Sequence, residues 1–158
     1  MQYLRLEDLS ARNKDLLQAA ENVMKHSYNP YSKFYVGAAL RTIDGQVIAG
    51  TNYENAAYGS TICAERAALL RANSMGYRAY DSIAIIGKGE TFKAEEPIAP
   101  CGSCRQMLFE ASQIAGINLE VIMSNTDKSK IIISNINELL PLGFGPKDLG
   151  VDIKRYIK

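Results

Sequence analysis

The sequence has no tryptophan, a single histidine and only three cysteines among 158 residues. An odd and small number of cysteines argues against a disulfide framework and favours a reducing compartment. With 18 basic and 17 acidic residues the formal charge is +1, so no basic excess indicates nucleic acid as a partner. No apolar run approaches the roughly 20 residues of a membrane span, and the first residues lack the apolar core of a signal peptide. We therefore expect a cytoplasmic protein that has neither a membrane nor a nucleic-acid partner.

The pattern of apolar residues predicts one α/β domain that spans residues 1–158. Helical spacing predicts helices over 6–26, 64–75 and 101–115, and the first of them ends before the Asn-Pro pair at 29–30. Strands are predicted over 34–42, 46–52, 82–87, 119–123 and 131–133, and Asp44-Gly45 marks a hairpin turn between the first two. This order of elements predicts a three-layer α/β/α sandwich around a mixed five-stranded sheet.

All three cysteines lie at the predicted starts of two helices. Cys101 and Cys104 are three residues apart, so their sulfurs point the same way, and Cys63 opens another helix. Two helix N-termini that meet would favour the thiolate form, which is the form that binds metal. Three protein ligands and one open position are typical of a catalytic zinc, whereas a structural zinc takes four ligands. The sequence thus predicts one catalytic Zn²⁺ per chain, with Glu65 beside the open position as a proton carrier and not a ligand.

A role other than catalytic zinc binding would account for less of this cysteine pattern. Cysteines are often small buried hydrophobic residues, and an isolated C-x-x-C also occurs in redox proteins. A redox pair of Cys101 and Cys104 would leave Cys63 and Glu65 without a role. A non-catalytic zinc-stabilised fold would need a fourth ligand, and no fourth cysteine is present. His26 falls near a helix C-terminus, where a cation is favourable, so we expect a surface position for it.

Three polar residues near the cysteines are further candidates. Arg66 follows Glu65 and is placed to donate hydrogen bonds to thiolate sulfur, which would offset the excess negative charge of three thiolates around Zn²⁺. The alternative interpretation of Arg66 is an ordinary solvated arginine on the surface. Asn52 and Glu54 are two apart in an extended segment, so their side chains share one face and offer a donor and acceptor to a diol such as ribose. Ordinary loop chemistry would also account for them.

Several segments over 28–149 closely resemble the cytidine deaminase family, in its short, homotetrameric branch with three cysteine ligands. The resemblance is carried by YSKFYVGAA (31–39), NYENAAY (52–58), CAER (63–66), PCGSCRQ (100–106) and ELLP (138–141). A Cys, a non-ligand Glu and a later Pro-Cys-x-x-Cys form the signature of zinc deaminases. It implies zinc-dependent hydrolysis of cytidine and 2′-deoxycytidine to uridine and 2′-deoxyuridine plus ammonia, in pyrimidine salvage.

The resemblance also implies roles for individual residues. Zinc would be held by Cys63, Cys101 and Cys104, and Glu65 would move the protons. Phe34 would pack on the pyrimidine, and Asn52 and Glu54 would hold the 3′-hydroxyl of the ribose. The remaining substrate contacts implied are Ala64, Ala56 and Tyr58, the last two from a neighbouring subunit, and Phe144, which would reach across an interface of the tetramer.

Two other deaminase activities remain as alternatives. A deaminase of cytosine nucleoside antibiotics would share the zinc site, but Phe34 and the Asn52-x-Glu54 pair favour a plain nucleoside. Editing of cytosine in RNA or DNA would require a basic and aromatic surface for the strand, which this sequence lacks. The 151–158 tail and the residues before 28 lie outside the resemblance and receive no role.

Overall fold

The computed structural model describes residues 1–157 and contains one mixed sheet with helices on both faces. The six strands are β1 (Gln2–Leu4), β2 (Phe34–Thr42), β3 (Val47–Thr51), β4 (Tyr80–Gly89), β5 (Glu120–Ser124) and β6 (Ile131–Asn135). The α-helices are α1 (Ala11–Val23), α2 (Ala64–Ser74), α3 (Gly102–Ala115) and the short α4 (Ile136–Leu139). The strand order is β1-β6-β5-β4-β2-β3, and only the β4–β5 pair is parallel.

The predicted three-layer α/β sandwich with a mixed sheet is confirmed, but the predicted five strands are wrong because the sheet has six. The additional strand is β1, which pairs antiparallel with β6 so that Gln2 lies opposite Ile133. Three residues are too few to show the alternation of polar and apolar side chains that identifies a strand. The predicted first helix also begins later, at Ala11, because Ser10 is its N-cap and accepts a hydrogen bond from the Asn13 backbone N at 3.2 Å.

Alternate residues of β2 face two separate hydrophobic clusters, one on each side of the sheet. Ala38 and Leu40 belong to the cluster that contains residues of α2 and α3, whereas Ala39 belongs to the cluster that contains residues of α1. The sheet therefore separates α1 from the two helices that begin with the cysteines.

Helix α2 lies very close to the edge strand β3. A methyl group at Gly50 would lie 2.3 Å from the backbone N of Ala68, so only glycine permits this approach. Ala64, Ala68 and Ala72 form the buried stripe of α2, and their small side chains let the helix sit low on the sheet. This packing fixes the position of the N-terminus of α2, where Cys63 and Glu65 lie.

In the described part of the chain, no helix is both long and apolar enough to cross a bilayer.

Candidate metal centre and active site

The three cysteine sulfurs lie together where the N-termini of α2 and α3 meet. Cys63 is the N-cap of α2, Cys101 is the N-cap of α3, and Cys104 lies in the first turn of α3. Their Sγ atoms are all within 4.8 Å of one another, and those of Cys101 and Cys104 are 3.5 Å apart. Tetrahedral zinc with Zn–S bonds of about 2.3 Å requires S···S distances of about 3.8 Å. The cluster therefore has the donor type and the size that zinc requires.

This cluster also has the open side that a catalytic metal needs. Cys104 is buried, Cys63 is partly buried and Cys101 is exposed. Within residues 1–157 it is the one group of three or more His, Cys, Asp or Glu donors close enough to hold a metal, so no fourth protein ligand joins it. His26 is exposed at the end of the helical segment that follows α1, as expected for a residue outside the metal site.

The local field favours ionisation of one thiol in particular. A hydrogen bond from Cys104 and the guanidinium of Arg66 lower the pKa of Cys63 to about 5, although partial burial opposes them. The same Cys63–Cys104 hydrogen bond, together with burial, raises the pKa of Cys104 well above its ordinary value. Without metal the cluster thus carries a thiolate at Cys63 while Cys104 keeps its proton. Metal binding must displace that proton, since zinc binds the thiolate form.

Arg66 lies against the thiolate and is not a solvated surface charge. Its Nη2 donates to the Thr61 carbonyl oxygen at 2.7 Å and lies 3.8 Å from Cys63 Sγ. Its Nε is buried and has no partner in the described structure. The arginine reaches back over the start of its own helix, so its charge is held next to the metal ligands.

Glu65 lies in the first turn of α2, where it is only 5% exposed. Burial raises its pKa to about 7, and the neighbouring Cys63 thiolate acts in the same direction. Glu65 follows the N-cap Cys63 by two residues, and both Cys63 and Cys104 affect its pKa, so the carboxyl group lies beside the thiol cluster. A carboxyl group with a pKa near neutrality can both accept and release a proton at physiological pH.

Asn52 and Glu54 are both buried, with the exposed Tyr53 between them, as expected for two side chains on one face of an extended segment. Glu54 Oε2 accepts hydrogen bonds from the backbone N of Tyr31 at 3.0 Å and of Ser32 at 3.1 Å. Burial alone would raise the pKa of Glu54, but the hydrogen bonds from Ser32 and Tyr31 outweigh it and hold the pKa below its ordinary value.

The Asn52 side chain holds the beginning of β2 in place. Its Nδ2 donates to the Phe34 carbonyl oxygen and its Oδ1 accepts from the Val36 backbone N, both at 2.9 Å. Phe34 itself is partly buried. A methyl group at Gly87 would lie 3.0 Å from its ring and 3.3 Å from Ile98. Because Phe34 is two residues before Val36, which packs on the α2 and α3 cluster, its ring lies on the same sheet face as the cysteines.

The other predicted substrate contacts divide into one buried residue and three exposed ones. Ala64 is fully buried between Cys63 and Glu65. Ala56 and Tyr58 are exposed, and the Tyr58 ring lies 5.9 Å from that of Tyr31. Phe144 is 59% exposed, and its carbonyl oxygen accepts a hydrogen bond from Gln106 Nε2 at 2.8 Å. A single chain therefore leaves Ala56, Tyr58 and Phe144 on its surface, and their cross-subunit roles stay predictions.

Sequence reasoning missed two residues that the structure places near the site. The Phe92 ring lies 6.1 Å from the Phe34 ring and covers Gly89, where a methyl group would come within 2.1 Å of it. Phe92 sits in a polar loop without periodicity, so no pattern marked it. Arg105 donates from Nε to the Pro100 carbonyl oxygen at 2.8 Å and from Nη1 to that of Leu139 at 3.0 Å. The sequence did contain a signal for Arg105, because it follows the helix-starting Cys101 by four residues, much as Arg66 follows Cys63 by three.

Comparison with known families matches residues 10–120 to the cytidine and deoxycytidylate deaminase zinc-binding region. This match covers more than half of the chain and includes all three cysteines and Glu65. The chain belongs to this family. As in the family description, the three-cysteine cluster is a zinc site, with one ion per chain.

Individual members of the deaminase family align over most of the chain. A cytidine deaminase of Halalkalibacterium halodurans is 40% identical over 136 residues, which is 86% of this chain and 93% of the relative. One from Sporosarcina psychrophila is 37% identical over 134 residues, or 85% and 92% of the two chains. The crystal structure of cytidine deaminase from Burkholderia pseudomallei superposes with a TM-score of 0.75 at 39% identity and covers 86% of this chain and all of that one.

Proposed function

We propose that this protein is a zinc-dependent hydrolase that converts cytidine and 2′-deoxycytidine to uridine and 2′-deoxyuridine with release of ammonia. The observation that carries the proposal is the buried Glu65 carboxyl group beside a three-thiol cluster that has an open side. A structural zinc site would give no role to a buried carboxyl group, whose burial costs free energy. The named relatives are cytidine deaminases.

The proton transfers of this reaction fall to Glu65. Zinc held by Cys63, Cys101 and Cys104 would supply a water of lowered pKa as the nucleophile. Glu65 would take up one proton from this water and deliver it to N3 of the pyrimidine as C4 is attacked. It would then take the remaining proton from the new hydroxyl group on C4 and pass it to the exocyclic amine. The amine would leave as ammonia while C4 becomes a carbonyl, so water and cytidine give uridine and ammonia. The Glu65 pKa of about 7 suits both directions of transfer, and such general acid–base steps contribute about 10²–10⁴ in rate.

Arg66 adjusts the charge of the metal site. Three thiolates give Zn²⁺ a net charge of −1, which weakens the metal as an acid. The Arg66 guanidinium beside Cys63 Sγ withdraws part of that negative charge. The N-termini of α2 and α3 act in the same sense, because both present their positive ends to the sulfurs.

Phe34, Asn52 and Glu54 form the nucleoside side of the proposed site. Both backbone amides that hold Glu54 bind Oε2, so Oε1 can accept a hydrogen bond from the ribose 3′-hydroxyl. Asn52 Nδ2 uses one hydrogen for the Phe34 carbonyl and has a second for the same hydroxyl. Phe34 presents its ring to the pyrimidine. The small side chain of Ala64 lets the substrate come close to the backbone beside Glu65.

The chain acts as a single catalytic domain and assembles as a homotetramer with shared active sites. Exposed apolar side chains at Tyr58, Leu142 and Phe144 support assembly, since Leu142 is 103% and the other two are 59% exposed in one chain. In the tetramer, Ala56, Tyr58 and Phe144 would complete a neighbour's site. The cellular role that fits is pyrimidine salvage in the cytoplasm.

The experiment that tests the function follows the fall in ultraviolet absorbance of cytidine, with zinc content measured in the same preparation. Wild type should turn over cytidine and 2′-deoxycytidine, while Glu65→Gln should retain zinc and lose about 10²–10⁴-fold in kcat. Glu110→Gln is the matched control, since Glu110 lies on α3 away from the cluster, and it should behave as wild type.

Zinc-loaded wild type that leaves cytidine unchanged would overturn the substrate assignment. Deoxycytidylate and cytosine nucleoside antibiotics would then be the next compounds to test. Full activity in Glu65→Gln would instead show that Glu65 is not the proton carrier.

A further inference from the structure

The helices α2 and α3 begin with the same arrangement of a cysteine and an arginine. Each has a metal-binding cysteine as its N-cap, Cys63 or Cys101. Each has an arginine near its first turn that folds back to a carbonyl oxygen before that cysteine. Arg66 donates to Thr61 and Arg105 donates to Pro100.

The two arginines differ in their second partner. Arg66 lies 3.8 Å from the thiolate of Cys63, whereas Arg105 donates its second hydrogen bond to the Leu139 carbonyl oxygen at 3.0 Å. Leu139 is the last residue of α4, so Arg105 joins the segment before Cys101 to a part of the chain far away in sequence. Its planar guanidinium can serve both carbonyls at once, which a lysine cannot do with the same geometry.

The backbone at Pro100, just before the ligand Cys101, has few other restraints than its hydrogen bond with Arg105. The backbone ladder of α3 begins with the bond from Arg105 N to the Cys101 carbonyl at 2.9 Å, so the Pro100 carbonyl lies outside it. Cys101 is the exposed ligand of the three, and packing therefore restrains it least. The next backbone anchor before it is the bond from Ile98 N to the Ser124 carbonyl at 3.1 Å.

We propose that Arg105 is a positioning residue for zinc, which holds Cys101 and Cys104 in ligand geometry by tying Pro100 to Leu139. It acts through the backbone, in contrast to Arg66, which acts on the charge of the thiolate. The inference rests on the zinc site of the proposed function but not on the identity of the substrate.

Zinc retention by the purified holoprotein tests this role without any substrate. Arg105→Gln removes both hydrogen bonds, and loss of groups that orient metal ligands typically weakens metal binding by 10–100-fold. We expect the zinc dissociation constant, measured by competition with a chromophoric chelator, to rise by about that factor. The control is Arg71→Gln, because Arg71 on α2 also donates to a backbone carbonyl, that of Ala49 at 2.9 Å, but away from the cysteines. It should bind zinc as wild type does.

Two further measurements separate positioning from general stability. Cobalt-substituted Arg105→Gln should show altered thiolate-to-metal absorption, while its unfolding midpoint at saturating zinc stays near that of Arg71→Gln. A lowered midpoint with unchanged zinc affinity and cobalt spectrum would overturn the proposal, since that result describes an ordinary structural link.

Milder variants keep the proposal testable if Arg105→Gln fails to fold. Arg105→Lys can keep one of the two bonds and should weaken zinc binding less. Asn135→Ala removes the N-cap bond from Glu138 N at 3.0 Å, which loosens α4 and Leu139, and should weaken zinc binding in the same direction. Wild-type zinc affinity in both variants would contradict the proposal. Normal zinc affinity without cytidine turnover in wild type would count against the proposed substrate alone.

Discussion

The N-termini of α2 and α3 hold their cysteines alike but are built into the protein differently. Cys63 follows a segment fixed by reciprocal backbone bonds between Tyr53 and Ile62, both at 2.9 Å. Cys101 follows a long polar loop whose last anchor is a side chain, Arg105. The α2 end is thus restrained by backbone pairing, and the α3 end depends on an arginine.

The two ends also differ in the chemistry that they carry. The α2 end holds the buried Glu65 and the thiolate of Cys63 with Arg66 against it. The α3 end holds two sulfurs, one buried and one exposed, and through Gln106 it is tied to the segment with Phe144. On the proposed mechanism, α2 would supply proton transfer and charge control, while α3 supplies two of the three cysteines of the zinc site and links to the rest of the fold.

Removal of a ligand at the α3 end should have the largest effect. Cys104→Ala leaves two sulfurs, fewer than the three or four protein ligands of zinc sites. We expect purified protein to lose its zinc on dialysis against chelator and to lose all measurable cytidine turnover. One zinc per chain retained by this variant would show that the α3 end is not the main ligand source.

At the α2 end, the raised pKa of Glu65 should appear in the stability of zinc-free protein. The folded pKa is about 7 against an ordinary value of 4.5, so folding favours the protonated form. This stabilisation is fully present below pH 4.5 and is lost as pH rises through about 7. Between these limits the free energy of unfolding of wild type should fall by about 3 kcal/mol relative to Glu65→Gln.

Urea unfolding of both proteins across this range provides the measurement. Their comparison cancels much of the contribution of Cys63, which is present in each. A difference in stability that does not change with pH would mean that folding leaves the pKa of Glu65 at its ordinary value.

Arg66→Gln should separate charge control from metal retention. Loss of the guanidinium leaves more negative charge on the thiolates, so kcat for cytidine should fall about 10–100-fold, the range of such changes around a metal. Zinc content should stay near one per chain, in contrast to the weakened zinc binding expected of Arg105→Gln. If both variants lost zinc equally and neither changed kcat of the loaded enzyme, the distinction between the two helix ends would fail.

Phe144→Ala should have the smallest effect, because its side chain is exposed in one chain and, in the proposed assembly, would contribute only to a neighbour's site. We expect a rise of several-fold in KM for cytidine or weaker assembly, while zinc content is unchanged. Sedimentation and steady-state kinetics measure these two results. Loss of zinc with unchanged assembly would contradict an interface role for Phe144.

The sequence predicted the parts of this site that depend on local signals. Cys63 and Cys101 were expected at helix starts. The helix predicted to end at 115 does so, and Gly116 caps it with a φ of 67°. Alternation around Tyr53 placed Asn52 and Glu54 on one face.

What could not be predicted depends on contacts between distant residues. Strand β1 is recognisable only through its pairing with β6, about 130 residues later. The bond between Arg105 and Leu139, and the position of Phe92 over Gly89, likewise depend on how separate segments pack. No local propensity encodes such contacts.

The most direct test of the account is a zinc titration of protein from which the metal has been removed, with cytidine turnover measured at each addition. If the three cysteines form a catalytic site, activity should rise in proportion to bound zinc and stop rising at one ion per chain. Turnover of cytidine by zinc-free protein, or a full complement of zinc without turnover of any cytosine nucleoside, would contradict it.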